Sequence, residues 1–234
     1  MSTITKVIQD SISPKRAIEM LKEGNKRFLE KNEQDRDLHL QVKDTSGGQF
    51  PYAVVLSCID SRVPVELVFD QGVGDIFSAR VAGNIINEDI LGSIEYACGV
   101  AGSKSILVLG HTKCGAVTSA CKGVELGNIT ALLSKVKPAI ANVLERDGNV
   151  EVEEVTKENV NQSIIEIREK SSILADLESE GKINIVGGVN TGQSSLTPGQ
   201  TYYVQPNGTL ATSAGTPSVV AGTSIASTKI IVKG

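Results

Sequence analysis

Two short groups of polar residues carry the side chains needed to bind a transition metal, and each directly follows an apolar run. Cys58, Asp60 and Arg62 end the stretch AVVLSCIDSR, and His111 and Cys114 end the stretch SILVLGHTKCG. Two thiolates and one imidazole form a borderline-soft ligand set suited to Zn²⁺. A site with three protein ligands keeps its fourth position for water, so this ligand set favours catalysis over a structural role.

The fold must bring the two groups together, because they lie far apart in the sequence. Each apolar run has the length of a buried strand. The carboxyl ends of neighbouring parallel strands lie at the same edge of a sheet, where ligands bind. The sequence therefore predicts an α/β fold with a mostly parallel sheet core flanked by helices and a metal site at that edge.

Asp60 and Arg62 are expected to act together beside this site. Two thiolates neutralise the charge of Zn²⁺, so a nearby acceptor should help to activate bound water. Arg62 could pair bidentately with Asp60, which would hold the carboxylate ionised and keep it away from the metal. Taken alone, His111 and Cys114 would be interpreted as core residues; Cys58, Asp60 and Arg62 reverse that interpretation.

The paired Cys-x-Asp-x-Arg and His-x-x-Cys motifs resemble those of the β-class carbonic anhydrases, from about residue 13 to about residue 189. Matching residues outside the motifs are Gln49, Phe77, Gly83, Asn84 and Tyr96. The resemblance implies one zinc ion per chain, bound by Cys58, His111 and Cys114. It also implies an Asp60–Arg62 pair in the active site.

A zinc lyase that interconverts CO₂ and bicarbonate is the function implied by this resemblance. Zinc-bound hydroxide would attack CO₂ in a small apolar pocket, and Asp60 would accept its hydrogen bond. The expected pocket residues are Phe77, Ala82, Gly83 and Tyr96. Gln49 would donate a hydrogen bond to the substrate from a neighbouring subunit, which implies a homodimer or a dimer of dimers.

Tryptophan is absent from this sequence, and that absence bears on the state of the metal site. Some members of the family carry a regulatory bicarbonate site that includes a tryptophan near the first strand, and in these the aspartate displaces the zinc-bound water at low pH. Val55 stands at the corresponding place here. We therefore expect an open site near neutral pH, with Asp60 off the metal.

Composition excludes several other classes of function. The chain has 234 residues, of which 40% are hydrophobic and 21% charged, and its formal net charge is −4. No basic block favours nucleic acid as a partner, and no apolar run reaches the roughly 20 residues of a membrane-spanning helix. The start MSTITKVIQDS lacks the features of a signal peptide, so a cytoplasmic location is expected. Cys98 and Cys121 are expected to be small buried hydrophobes.

The first helix is predicted to begin at Pro14 with Ser13 as its N-cap, within a helical arm of about residues 1–45. His39 is interpreted as a solvated loop residue; it and Tyr96 are weak candidates for proton transfer. Further predicted helices are 88–101, 127–146 with an interruption at Pro138, 152–170 and 172–180. Residues 182–189 are predicted to form the last strand of the sheet.

Beyond residue 190 the composition changes to Gly, Ser and Thr, which predicts a catalytic domain over 1–190 and an extension over 191–234. TYYVQ, TLATS and STKIIVK have the pattern of short strands, with a turn at PNG. The extension weakly resembles small β-modules at the ends of phage structural proteins. An attachment element, a passive β-rich appendage and a flexible tail all stay open.

Two alternative functions also stay open. The same fold and ligands resemble hydrolases of CS₂ or COS. A non-catalytic, zinc-bearing scaffold is a second alternative, but a purely structural site would more often have a fourth protein ligand. Intact Asp60, Arg62 and Gln49 favour the enzyme.

Overall fold

The structure is a computed structural model that describes residues 3–190, together with the backbone of 201–204, 210–211, 219–226 and 229–232. In these parts the first sheet contains β1 Ala53–Ser57, β2 Ile76–Arg80, β3 Ser105–His111 and β4 Asn184–Asn190. Its strand order is β2-β1-β3-β4 and every pairing in it is parallel. The predicted α/β fold with a parallel core is confirmed.

Helices cover both faces of this sheet and supply the crossovers that parallel strands need. They are α1 Lys6–Ser11, α2 Pro14–Glu30, α3 Leu38–Asp44, α4 Val65–Val68, α5 Glu88–Glu95, α6 Gly115–Cys121, α7 Gly127–Ser134, α8 Lys137–Asp147, α9 Val152–Lys170 and α10 Ser172–Ser179. A 3₁₀ turn spans Ala82–Asn84, and a π-helical turn, Tyr96–Val100, continues α5. None of the helices in the described part of the chain combines the length and apolar character needed to cross a bilayer.

The two central strands are buried along their whole length, which explains why they are continuous apolar runs in the sequence. Successive side chains of these two strands point to opposite faces of the sheet and so pack in two different cores. Val55 and Leu107 pack in the core that includes α2, whereas Val54 and Val108 pack in the core that includes α9. The apolar runs are therefore a direct consequence of helices on both faces.

Helix α9 approaches the sheet more closely than ordinary side chains allow. A Cβ atom at Gly110 of β3 would lie 2.8 Å from Cγ2 of Val160, and one at Gly187 of β4 would lie 2.5 Å from Cγ1 of the same residue. Glycine at these positions lets the backbone of α9 lie against the carboxyl half of the sheet. This contact brings the polar residues of α9 near the predicted site.

The amino-terminal arm is joined to the sheet domain by a buried ion-pair cluster. Asp70, whose carboxylate is 3% exposed, pairs with Arg27 of α2 and with Arg36 of the following connection. Burial alone would raise the pKa of Asp70, but the hydrogen bonds from the two arginines outweigh it and lower the pKa. The carboxylate of Asp70, in the turn after α4, is thus held ionised by α2 and by the connection that follows α2.

Several predicted boundaries differ from the observed ones. Ser13 is the N-cap of α2 as predicted, with its side chain accepting a hydrogen bond from Arg16 N. The prediction that His39 lies in a loop is wrong, because it lies in α3, whose N-cap is Asp37. The predicted 127–146 helix is two helices, α7 and α8, separated at 135–136, and Pro138 lies in the first turn of the second.

A second, antiparallel sheet has the order β6-β5-β7-β8 and contains β5 Thr201–Val204, β6 Leu210–Ala211, β7 Val219–Ala226 and β8 Lys229–Val232. Strands were predicted at the first, second and fourth of these positions. The strand β7 was missed, since its Gly, Ser and Thr content resembles that of a loop. The turn predicted at PNG lies outside the described residues.

Candidate active site

The fold brings Cys58, His111 and Cys114 into one buried cluster whose ligand atoms all lie within 4.8 Å of one another. Cys58 directly follows β1, His111 is the last residue of β3, and Cys114 is the N-cap of α6. Because β1 and β3 are paired in parallel, their carboxyl ends meet at one edge of the sheet. The clustering expected from the two motifs is what the structure shows.

The geometry of the three side chains fits a tetrahedral metal ion. Two thiolates bound to Zn²⁺ at about 2.3 Å would stand about 3.8 Å apart, and the Sγ atoms of Cys58 and Cys114 are 3.9 Å apart. Nδ1 of His111 lies 2.9 Å from the carbonyl oxygen of Thr112, a contact that assigns its proton to Nδ1. Nε2 of His111 is then a buried acceptor, and it has no hydrogen-bond partner among the described residues.

A buried polar atom without a partner is costly, and a metal ion would satisfy Nε2 of His111. The Sγ atoms of Cys58 and Cys114 lie within hydrogen-bond distance of each other, and either can be the donor. The hydrogen bonds from the Cys114 thiol and from the Gly83 amide lower the pKa of Cys58, whereas the contact with Cys58 and burial raise the pKa of Cys114. The cluster therefore holds one thiolate readily and is suited to a cation that would ionise both.

Asp60 lies at the rim of this cluster and is fixed by Arg62. Its Oδ1 accepts hydrogen bonds of 2.9 Å from both N and Nε of Arg62, and its Oδ2 accepts one of 2.8 Å from Nη2. These hydrogen bonds hold the pKa of Asp60 well below its usual range, against the effect of burial. Oδ2 of Asp60 is 3.9 Å from Nε2 of His111, so the carboxylate faces the position of the metal ligands.

Arg80 is part of this site and was missed from the sequence. Its Nε donates to the carbonyl oxygen of Cys58 at 2.9 Å, and its Nη2 donates to that of Asp60 at 2.6 Å. Arg80 ends β2 and is paired in register with Ser57 of β1, so its guanidinium spans the turn that carries the first motif. This role of Arg80 depends on β2 lying beside β1, and no local sequence pattern indicates it.

The second motif is fixed to the first by the backbone of Lys113. This residue has a left-handed φ of 56° in the turn between β3 and α6. Its carbonyl oxygen accepts a 3.4 Å hydrogen bond from Nη2 of Arg62, and its amide donates at 3.1 Å to Oε1 of Glu153 in α9. The two ligand-bearing turns thus share Arg62 as a common partner.

The four expected pocket residues do not form one group within the described chain. Phe77 and Tyr96 pack edge to face, with ring centroids 6.4 Å apart, and line a cavity of about 730 Å³ beside β2. Ala82 and Gly83 lie instead in the 3₁₀ turn, where the Gly83 amide donates to Sγ of Cys58 at 3.3 Å. None of the three cluster residues lines the described cavity. Their role as a substrate wall stays a prediction.

Gln49 is exposed and lies before the amino end of β1, whereas Cys58 follows the carboxyl end of this strand. It precedes β1, and nearby Pro51 accepts a hydrogen bond from Ser103, just before β3. Between Ala53 and Ser57 the strand β1 rises by about 13 Å, at about 3.3 Å per residue. This placement is compatible with the prediction that Gln49 acts in a neighbouring subunit, which stays a prediction.

Comparison with known proteins gives consistent similarities. Residues 53–195 match the model of a family described as carbonic anhydrase. The chain is 36% identical over 181 residues to carbonic anhydrase 2 of Mycobacterium tuberculosis, strain CDC 1551 / Oshkosh, a match that covers 75% of this chain and 87% of that protein.

Two solved structures extend the similarity to the fold. The β-carbonic anhydrase CcaA is 25% identical with a TM-score of 0.61, covering 74% of this chain and 82% of its own. A tetrameric β-carbonic anhydrase of Sordaria macrospora is 24% identical with a TM-score of 0.58, covering 63% and 79% respectively. The second of these similarities concerns the fold alone.

Proposed function

The chain belongs to the carbonic anhydrase family, in its β class, and on that premise we propose that it hydrates CO₂ reversibly to bicarbonate and a proton with one zinc ion held by Cys58, His111 and Cys114. The observation that carries this proposal is the buried cluster, with Nε2 of His111 left without a partner. Carbonic anhydrase activity follows from the family; the metal and the residue roles are our proposal.

A zinc ion bound here supplies positive charge that lowers the pKa of water and so provides a nucleophile near neutral pH. Asp60 accepts a hydrogen bond from the attacking water and orients its lone pair toward CO₂. The carboxylate is suited to this role because Arg62 donates a hydrogen bond to each of its two oxygen atoms and keeps it ionised. Arg62 itself contacts no substrate and acts through Asp60.

Arg80 keeps the ligand turn in place during the reaction. Its two hydrogen bonds to the carbonyl oxygens of Cys58 and Asp60 fix the backbone that carries both the ligand and the acceptor. A fixed geometry matters, because an acceptor misplaced by about 1 Å can cost about a hundredfold in rate.

We propose a homodimer or a dimer of dimers as the active assembly. Gln49 donates a hydrogen bond to the substrate oxygen from the neighbouring subunit, a role supported by its place before the amino end of β1, while Cys58 follows the carboxyl end. The similar proteins of Sordaria macrospora are tetrameric. Exposed apolar side chains on the arm and on α4, such as Val7, Val42 and Leu67, are suited to contacts between subunits.

Stopped-flow CO₂ hydration at mildly alkaline pH, with the zinc content of the same sample, tests this function. Rapid turnover with about one zinc per chain is expected. Cys58→Ser should lose zinc and activity together, whereas Cys121→Ser, outside both motifs, should keep both. Zinc without CO₂ turnover would instead favour CS₂ or COS hydrolysis, or a zinc-bearing scaffold.

A further inference from the structure

The 3₁₀ turn Ala82–Asn84 directly contacts the first metal ligand. The amide of Gly83 donates to Sγ of Cys58 at 3.3 Å. An N–H group aimed at a thiolate stabilises its negative charge and fixes the direction of its lone pairs. The orientation of one peptide group in this turn therefore affects how strongly Cys58 would donate to a metal.

A backbone hydrogen bond of 2.9 Å from Asn84 N to the carbonyl oxygen of Val81 closes the turn, but the backbone conformation of the turn is unfavourable. Gly83 has φ 72° and Asn84 has φ 44°, so two successive residues lie in the left-handed region. For Asn84, which is not glycine, this conformation costs free energy and persists because surrounding groups impose it. The partners of the turn should then lie outside it.

Helix α9 supplies those partners. Nδ2 of Asn159, which is buried, donates to the carbonyl oxygen of Gly83 at 2.8 Å. Oγ of Ser163, one helical turn later, lies 3.0 Å from the carbonyl oxygen of Asn84 and 2.9 Å from that of Asn159. A hydroxyl has one proton to give, so Ser163 is the weaker of the two contacts.

On its other side the turn is confined by α6. A Cβ atom at Gly83 would lie 3.3 Å from Cβ of Ala116, which follows the ligand Cys114 by two residues. Asn159 holds the carbonyl of the Gly83–Asn84 peptide, whose N–H donates to the carbonyl oxygen of Val81 at 2.9 Å. The N–H that donates to Cys58 belongs to the preceding peptide, Ala82–Gly83, and the two peptides are joined at Cα of Gly83, with α6 behind it. Loss of the Asn159 amide would leave a buried carbonyl without its side-chain donor, so the turn, and with it the Gly83 N–H, could shift relative to Cys58.

We infer that Asn159 is a positioning residue of the metal site: by holding the Gly83–Asn84 peptide it fixes the backbone at Cα of Gly83, and with it the direction of the Gly83 N–H toward the Cys58 sulfur. The inference rests on the proposed metal site. Asn159 touches neither substrate nor the ligand atoms, and its effect passes through one backbone turn. Ser163 assists by the same route from the neighbouring residue.

The test compares Asn159→Ala with Asn184→Ala in the full chain. Asn184 is a matched control, because its Nδ2 also donates to a backbone carbonyl, that of Pro14 at 3.0 Å, but at the amino end of β4. Both variants and the wild type are loaded with Co²⁺, and the thiolate-to-metal charge-transfer band is recorded. Zinc affinity is measured by competition with a chelator, and urea unfolding reports stability.

Asn159→Ala should shift the charge-transfer band to lower energy, because a thiolate that loses an N–H donor releases its electrons more easily. Its zinc affinity should fall about tenfold, in the range seen when an outer-shell partner of a metal ligand is removed. Asn184→Ala should lose stability but keep the wild-type band and affinity. Ser163→Ala should shift the band in the same direction by less.

An unchanged band and affinity in Asn159→Ala would overturn the inference while leaving the metal site intact. If that variant does not fold, Ser163→Ala decides the matter, and a wild-type spectrum there counts against the inference. A wild-type chain that binds neither Co²⁺ nor Zn²⁺ would instead refute the proposed function. The two failures are thus distinguishable.

Discussion

Gln49 is proposed to complete the active site of a neighbouring subunit, and mixed oligomers can test this directly. The perturbation is a pair of variants, Gln49→Ala and Cys58→Ser, co-expressed with different affinity tags. The first keeps its metal cluster but lacks the hydrogen-bond donor. The second lacks the metal but still offers Gln49 to its partner.

The expected magnitudes follow from the position of Gln49 in the chain. Removing a hydrogen-bond donor to the developing charge costs about a hundredfold to a thousandfold in kcat, so the Gln49→Ala protein alone should be nearly inactive. Random pairing makes half of the dimers mixed, and each mixed dimer holds one complete site of two. The mixture should therefore recover about a quarter of wild-type activity in a twofold-symmetric assembly.

Stopped-flow CO₂ hydration is the assay. The unselected mixture should show this quarter of wild-type activity, and the mixed dimer isolated through both tags should show about half of wild-type activity per chain. A mixture of Cys58→Ser and Asp60→Asn is the matched control, because both changes damage the same half of each site and no complete site can form. Activity of the first mixture no greater than the sum of its parents would refute the assignment of Gln49 to the partner. Full activity of Gln49→Ala alone would refute any role for this residue.

Three further outcomes are expected. Asp60→Asn should keep its zinc and lose about a hundredfold or more in turnover, since the amide is a weaker acceptor, as measured by metal content and kcat. A crystal structure of the zinc form near neutral pH should show Asp60 paired with Arg62. Asp60 bound to zinc would contradict the prediction that the fourth metal position is open to water. Arg36→Ala should lower the free energy of unfolding in urea by about 2 kcal/mol, because a charged hydrogen bond to buried Asp70 is lost.

The pH dependence of the stability loss in Arg36→Ala provides a control for this prediction. The pKa of Asp70 is lowered in the folded state, so its stabilisation is complete above the unfolded pKa of about 3.9 and is lost as the pH falls through the folded pKa. The difference in the free energy of unfolding between the wild type and Arg36→Ala should therefore become smaller at acid pH. Arg168→Ala, which breaks an exposed pair with Glu178, should cost less than about 1 kcal/mol. An equal loss in both variants would contradict the reasoning.

Sequence patterns predicted the strands and helices where burial leaves a local signature. The strands β1 and β3 are buried on both faces, so their residues must be apolar throughout. Helix α9 was predicted with its observed bounds, Val152–Lys170, because its apolar residues recur at helical spacing. Helices α1 and α3 were missed, since a segment of six or seven residues with exposed apolar side chains has little periodic signal.

The sequence by itself determined the chemistry of the site. Thiol, imidazole, carboxylate and guanidinium groups directly follow strands, and their types and spacing within each motif already indicate a metal ligand set with an acceptor held by Arg62. These relations span a few residues, so the chain encodes them locally.

Tertiary structure decided which distant groups support those residues. Arg80 reaches the carbonyl oxygens of Cys58 and Asp60 because β2 lies beside β1, and Asn159 reaches Gly83 because α9 lies close to the sheet. A hydrogen bond from a side chain to a distant backbone carbonyl leaves no periodicity or motif at either end. Gln49 and Cys58 lie on either side of β1, a placement that supports the proposal that Gln49 acts in another subunit.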